Sequence, residues 1–128
     1  MNPVIIYCYD AYCGWCYGFS ANTMKQINAS YGNKMHIEVL SGGLVNYGKP
    51  QPISVFSNII LSGYKRIEEL SGVKFGDDFL WHVNNTDKSD WFLNSEKAAI
   101  AMCIFKEIYP EKQVEFAGDL QYAFNLLS

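Results

Sequence analysis

The segment Tyr7-Cys8-Tyr9-Asp10-Ala11-Tyr12-Cys13-Gly14-Trp15-Cys16-Tyr17-Gly18-Phe19 holds three of the chain's four cysteines, and the hydrophobic period changes within it. Upstream, Pro3-Val4-Ile5-Ile6-Tyr7-Cys8-Tyr9 is a continuous apolar, β-branched run, which predicts a strand buried on both faces. Asp10-Ala11-Tyr12 is a short connection, in which Asp10 suits a loop or capping role, or an influence on thiol ionisation. From Cys13 the period is helical. Tyr17, Ser20, Met24, Ile27 and Tyr31 recur at three- and four-residue steps, and Gly32-Asn33 supplies a stop. Lys34 to Leu40 alternates, with Met35, Ile37 and Val39 against Lys34, His36 and Glu38, so a second strand is expected. A right-handed crossover makes the two strands parallel and places Cys13-Gly14-Trp15-Cys16 at the top of the first.

That spacing has a chemical consequence. Two residues between cysteines bring both sulfurs into the first turn of a helix, where backbone N–H groups are unsatisfied and the helix dipole is positive. Thiolate is favoured over thiol there, so the first cysteine becomes a nucleophile. A strand–C-x-x-C–helix pattern therefore reads as a redox motif. Two structural cysteines are the plain alternative. Zinc calls for a second Cys or His pair at matched spacing, and His36 and His82 stand alone. The order Cys8-x4-Cys13-x2-Cys16 with Cys103 downstream also matches a plant-type iron–sulfur pattern. Cys8, however, lies within an apolar strand, and Tyr9, Tyr12 and Trp15 crowd the loop that a cluster would need. No metal site is predicted. Cys8 and Cys103 read as buried small hydrophobes. Tyr12 and Trp15 flank the sulfurs, either to meet a peptide or to shield a disulfide.

Beyond the second strand, Ser41-Gly42-Gly43-Leu44 through Lys49-Pro50-Gln51-Pro52 reads as loop. From about Ser54 the pattern is helical, with Phe56, Ile59, Ile60, Tyr64 and Ile67 on one face and an end near Ser71-Gly72. Val73 to Asp90 is weakly patterned, with a short helix starting at Gly76-Asp77-Asp78 and a loop at Asn84-Asn85. His82 is read as ordinary packing, with the active-site groove as its alternative. Asn94 or Ser95 suits the cap of a helix to about Tyr109, and Pro110 suits the first turn of the next. In that last helix, Phe116, Ala117, Leu120, Ala123, Phe124 and Leu127 form the predicted buried face.

The chain has 128 residues, 49% of them hydrophobic, enough for one core without disulfide staples. A net charge of −3 with no basic run argues against nucleic acid, whose phosphates need clustered positive charge. No apolar stretch approaches the ~20 residues of a spanning helix, so no membrane partner is expected. The first residues lack a secretory pattern, and the chain reads as cytoplasmic, or as one whose leader has been removed. Two strands are a marginal sheet, so the sequence reads as the front of a larger α/β protein or as a chain that completes its sheet by association. Exposed edges and helix faces predict a homodimer.

The Tyr7–Phe19 stretch resembles the DsbA-type branch of the thioredoxin superfamily, and is closest to its cytosolic FrnE-like disulfide isomerases. Ser41-Gly42-Gly43-Leu44, Asn94-Ser95 with the helix after it, and Phe116 to Phe124 are similar to later parts of that group. The resemblance implies an α/β thioredoxin-like strand–helix–strand with an inserted helical subdomain and an incomplete sheet. It puts residues 1–50 in the thioredoxin-like core and 51–128 in the helical insertion. It implies a thiol–disulfide oxidoreductase or isomerase acting on protein disulfides or glutathione-like small thiols, with no cofactor. Cys13 would be the attacking thiolate and Cys16 the resolving thiol. Gly14 and Trp15 would tune the couple, and Tyr12, Gly42 and Gly43 would line a substrate groove. The family also sets a cis-proline beside its cysteines, and none of Pro3, Pro50, Pro52 and Pro110 matches it. A non-catalytic interaction module, a fragment that keeps the motif but binds through its aromatic surface, is therefore the alternative.

Overall fold

The computed structural model describes residues 2–128. Strand β1 (Val4–Tyr9) leads through the four-residue turn Asp10–Cys13 into helix α1 (Gly14–Phe19). The helix continues through a π-helical turn at Ser20–Met24 into α2 (Lys25–Tyr31), and β2 (His36–Ser41) returns beside β1. The two strands pair in parallel, Val4 opposite His36 through Tyr9 opposite Ser41, as the crossover rule requires.

The first expectation to fail is that of a strand buried on both faces. Tyr7 and Tyr9 are buried, whereas Val4, Ile6 and Cys8 are exposed. The reason is that every helix packing on the sheet does so on one side. Side chains instead protect the outer edge of β2. Gln113 Oε1 accepts the Val39 N–H at 2.7 Å, and Lys106 Nζ donates to the Val39 carbonyl at 2.8 Å. Strand edges left with free backbone groups invite pairing, and here two buried or half-buried side chains satisfy them.

After β2 the chain forms a second, two-residue ladder, one strand of which falls at Gln51-Pro52, where loop is expected. Strand β3 (Gln51–Pro52) pairs antiparallel with β4 (Phe92–Leu93). Helix α3 (Ser57–Ser71) ends at Gly72, whose φ of 75° is the left-handed closing turn that glycine adopts without strain. The weakly patterned stretch contains α4 (Asp77–Asn84), capped by the extended residue Gly76. Helices α5 (Glu96–Ile108) and α6 (Gln113–Asn125) follow, with Pro110 opening a 3₁₀ turn between them. Ser95 precedes α5 as expected, but its hydroxyl accepts the Val45 N–H at 2.9 Å, and Asn94 Oδ1 takes the Glu96 N–H.

Two cores result. One joins Tyr7, Tyr9, Ile37 and Val39 of the sheet to Met24, Met102, Val114 and Ala117. The other gathers Tyr17, Ile67, Phe75, Phe79 and Val83 with Val45, Ile53 and Leu93. The buried stripe of α6 differs from the predicted one. It runs Gln113, Val114, Ala117, Gln121, Asn125, while Ala123 and Leu127 face outward. Two of its polar residues meet backbone groups that need partners: Gln113 serves Val39, and Asn125 Nδ2 reaches the Ala11 carbonyl at 3.4 Å. Ile59, expected on the inner face of α3, is 73% exposed.

Candidate active site

The site begins with the turn between β1 and α1. Asp10 is buried, and its carboxylate accepts two backbone N–H groups, from Tyr12 at 3.0 Å and from Leu44 at 2.9 Å. Its carbonyl accepts the Cys13 N–H at 3.2 Å. One side chain thus ties the cysteine turn to the Gly42-Gly43 loop. Of the loop or capping role expected of Asp10 the loop role is present, the helix cap being Cys13, and its reach to Leu44 is a long-range link that spacing alone does not reveal. Gly42 N–H also donates to the Tyr9 carbonyl at 2.6 Å, so this loop lies directly against the end of β1.

Cys13 is the N-cap residue of α1, with extended backbone, and its sulfur accepts the Cys16 N–H at 3.4 Å. Both cysteines are half-buried free thiols. The Cys16 thiol hydrogen-bonds to the Cys13 sulfur, and the backbone N–H groups of Cys16 and Trp15 add to it, which lowers the Cys13 pKa to about 6 against the opposing effect of burial. The same hydrogen bond, with burial, pushes the Cys16 thiol up. The pair is therefore asymmetric: at neutral pH the first sulfur is anionic and the second is protonated.

An acid with a lowered pKa is ionised above it, so the alkylation rate at Cys13 should rise through pH 6 and level off by pH 7. There about nine-tenths of the sulfur is thiolate, against a few per cent for an ordinary cysteine. Peptide-resolved iodoacetamide labelling checks this, and a midpoint at pH 8 or above would remove the N-cap account.

The neighbours of the pair fall where α1 meets α3 and α6. A Cβ on Gly14 would lie 3.1 Å from Ile67 Cδ1, so the absence of a side chain lets α3 approach the motif. Trp15 is 54% exposed beside Ile59 and Gly63. Tyr12 packs edge-on against Phe124, with ring centroids 4.5 Å apart. His82 stacks on Trp91 at 3.9 Å and bonds Ser89, so it belongs to the second core's rim. His36 is exposed and pairs with Glu38.

Cys8 and Cys103 contradict the expectation of burial, since both are exposed. Cys8 lies on the uncovered face of β1, and Cys103 is on the outward side of α5, next to the buried Met102. Among the described residues no cluster of three or more His, Cys, Asp or Glu side chains could hold a metal ion. None of the described helices is long and apolar enough to cross a membrane.

No family model matches the chain, and no curated protein does. Solved structures do match it. A candidate protein disulfide isomerase from Nitrosomonas europaea is 24% identical, with 98% of this chain and 56% of that one covered, at a TM-score of 0.76. The cytosolic disulfide reductase DsbM from Pseudomonas aeruginosa is 21% identical with the same coverage, at 0.74, and at 0.76 in its structure with GSH. The chain spans 56% of the length of each. Over that stretch it shares the α/β, thioredoxin-like fold of these structures, with a small parallel sheet of two strands among the described residues.

Proposed function

We propose that the chain carries the reactive half of a thiol–disulfide oxidoreductase whose couple is Cys13 and Cys16. The observation that carries this reading is the N-cap position of the Cys13 sulfur, held as thiolate by the Cys16 N–H and thiol. The Cys13 thiolate attacks one sulfur of a substrate disulfide and forms a mixed disulfide, and the other substrate sulfur leaves as thiolate. Cys16 then loses its proton and attacks the Cys13 sulfur. The Cys13–Cys16 disulfide forms and the second substrate thiol leaves. The substrate gains two electrons and the protein loses two. The reverse sequence oxidises a dithiol. The chemistry uses no metal or organic cofactor.

Protein disulfides and glutathione-like small thiols are the substrate class, a reading supported by the neighbouring structures, one of which is a disulfide reductase with GSH. Gly14 and Trp15 tune the couple. Tyr12, Gly42 and Gly43 border the approach to Cys13, the glycines through the loop that Asp10 anchors. Residues 1–50 act as the thioredoxin-like part and 51–128 as its helical insert, in a cytoplasmic protein.

Thiol trapping across a glutathione redox series, read by peptide mass spectrometry, tests this. A single two-electron transition confined to Cys13 and Cys16 is expected. Trapping that shows no such transition would move the interaction-module reading ahead.

A further inference from the structure

Five buried side-chain atoms have no hydrogen-bond partner among the described residues: Tyr7 Oη, Tyr9 Oη, Gln121 Nε2 and Oε1, and Asn125 Oδ1. Such atoms are rare in folded proteins and generally mark a bound water or a functional group. All belong to β1 and α6, the elements behind the cysteine helix. Gln121 is the strongest case, being fully buried with both ends of its amide unpartnered. The Ser20 and Gln121 side chains lie close enough to the Tyr7 hydroxyl to favour its charged form, yet no hydrogen bond of normal geometry closes on it.

Position relates this group to the reactive pair. Cys16 packs against the core that contains Tyr7 and Tyr9. Ser20 is one helical turn beyond Cys16, its N–H donating to the Cys16 carbonyl, so the two side chains share a helix face. Ser20 also opens the π-helical turn, a distortion that recurs at functional sites. On the far side, Ser20 and Gln121 line a cleft of about 320 Å³ between the cysteine helix and α6. Gly118 leaves its wall low: a Cβ there would come no closer than 3.7 Å to Ser20 Oγ. Polar side chains of β1, the cysteine helix and α6 thus lie between the core on which Cys16 packs and an open cleft.

We propose that Tyr7, Ser20 and Gln121 hold internal water that carries the Cys16 proton to this cleft when Cys16 closes on Cys13. The inference rests on the exchange reading above. In that step the Cys16 S–H bond breaks and the Cys13–Cys16 bond forms. The Cys13–substrate bond breaks, the electron pair leaves on the substrate sulfur, and the proton departs through the water. The Cys13 side of the motif is occupied by substrate at that moment, so the buried side is the free exit. The titratable groups facing Cys16 are Cys13, Asp10, Tyr7 and Tyr9, and Lys25, Glu115 and Asp119 stand at the cleft. The carboxylate of Asp10 accepts two backbone N–H groups, one on each oxygen, which ties it to the cysteine turn and the Gly42-Gly43 loop.

The experiment uses the full chain with the exposed Cys8 and Cys103 replaced by serine, reacted with dithiobisnitrobenzoate in stopped flow. Attack by Cys13 releases one thionitrobenzoate, and closure by Cys16 releases the second. In Gln121→Leu the second phase should slow about tenfold at pH 7 while the first stays within about twofold, and the deficit should shrink as pH rises and hydroxide takes the proton. Gln121→Leu removes an amide without orphaning a partner, so the fold is kept. Gly118→Met, which fills the cleft from outside, should slow the same phase. Equal second phases in parent and both variants would overturn the proposal, as would slowing of both phases alike. Absence of a second phase in the parent would instead overturn the exchange reading.

Discussion

Replacing Cys13 by serine should abolish disulfide exchange, whereas replacing Cys16 by serine should preserve the first attack and accumulate a mixed disulfide. The asymmetry of the two sulfurs is the reason. Cys13 is the anion of the pair, and a serine hydroxyl in its place supplies no nucleophile at neutral pH. Cys16 is a poor substitute for it, because burial still favours its protonated thiol once the Cys13 sulfur is gone. In Cys16→Ser the serine hydroxyl can still donate to the Cys13 sulfur, so the thiolate persists. In Cys16→Ala that donor is gone, and the Cys13 pKa should climb toward the ordinary cysteine range. The three variants therefore separate nucleophile, resolving group and hydrogen-bond donor. Incubation with a disulfide-bonded peptide, followed by intact-mass analysis, reads all three. Exchange at the parent rate in Cys13→Ser, or no adduct in Cys16→Ser, would reassign the roles.

The strand–helix–strand unit was legible because its signals are local. A β-branched run gives way to helical spacing at Cys13, and alternation resumes at Lys34, so the parallel pair and the N-cap sulfur follow from neighbouring residues. What escaped depends on residues far apart in the chain. The exposure of Val4, Ile6 and Cys8 reflects which side of the sheet the later helices cover, and periodicity within β1 carries no record of that. Asp10 looks like a turn residue until Leu44 is seen to donate to it. The stripe of α6 differs from the expected one because hydrophobicity selects Ala123 and Leu127, which face outward, whereas Phe116, Leu120 and Phe124 do pack against the cores. The observed stripe uses Gln113 and Asn125 to satisfy backbone groups of β2 and the cysteine turn. The two-residue ladder of β3 and β4 is too short to leave a pattern. A buried glutamine with no side-chain partner among the described residues is the same kind of signal: invisible in a string of residues, plain once the helix is placed.

The largest loss of stability is expected at Phe79, a position remote in sequence from the cysteines. Its ring is 2% exposed and is the hub of the aromatic core. Its centroid lies 5.5 Å from that of Phe75, 5.3 Å from Phe124 and 6.3 Å from Trp91. These partners come from the segment after α3, from α6 and from the approach to β4, so one side chain joins three parts of the chain. Truncation to alanine removes the buried ring and leaves a cavity, at a cost of about 3–5 kcal/mol. A domain of this size is stable by roughly 5–15 kcal/mol, so Phe79→Ala should lose a large share of its margin. Phe79→Leu, which refills most of the space, should lose less than half as much. Urea unfolding should show the midpoint falling with little change in slope. The effect should also reach the site, because Phe124 packs on both Phe79 and Tyr12, and Tyr12 precedes Cys13. Loosening Phe124 frees Tyr12 and with it the turn that sets the N-cap sulfur. The Cys13 labelling midpoint should therefore move upward from pH 6 in Phe79→Ala under native conditions. A midpoint unchanged in a clearly destabilised variant would show that Asp10, through Tyr12 and Leu44, holds the cysteine turn without help from the aromatic core.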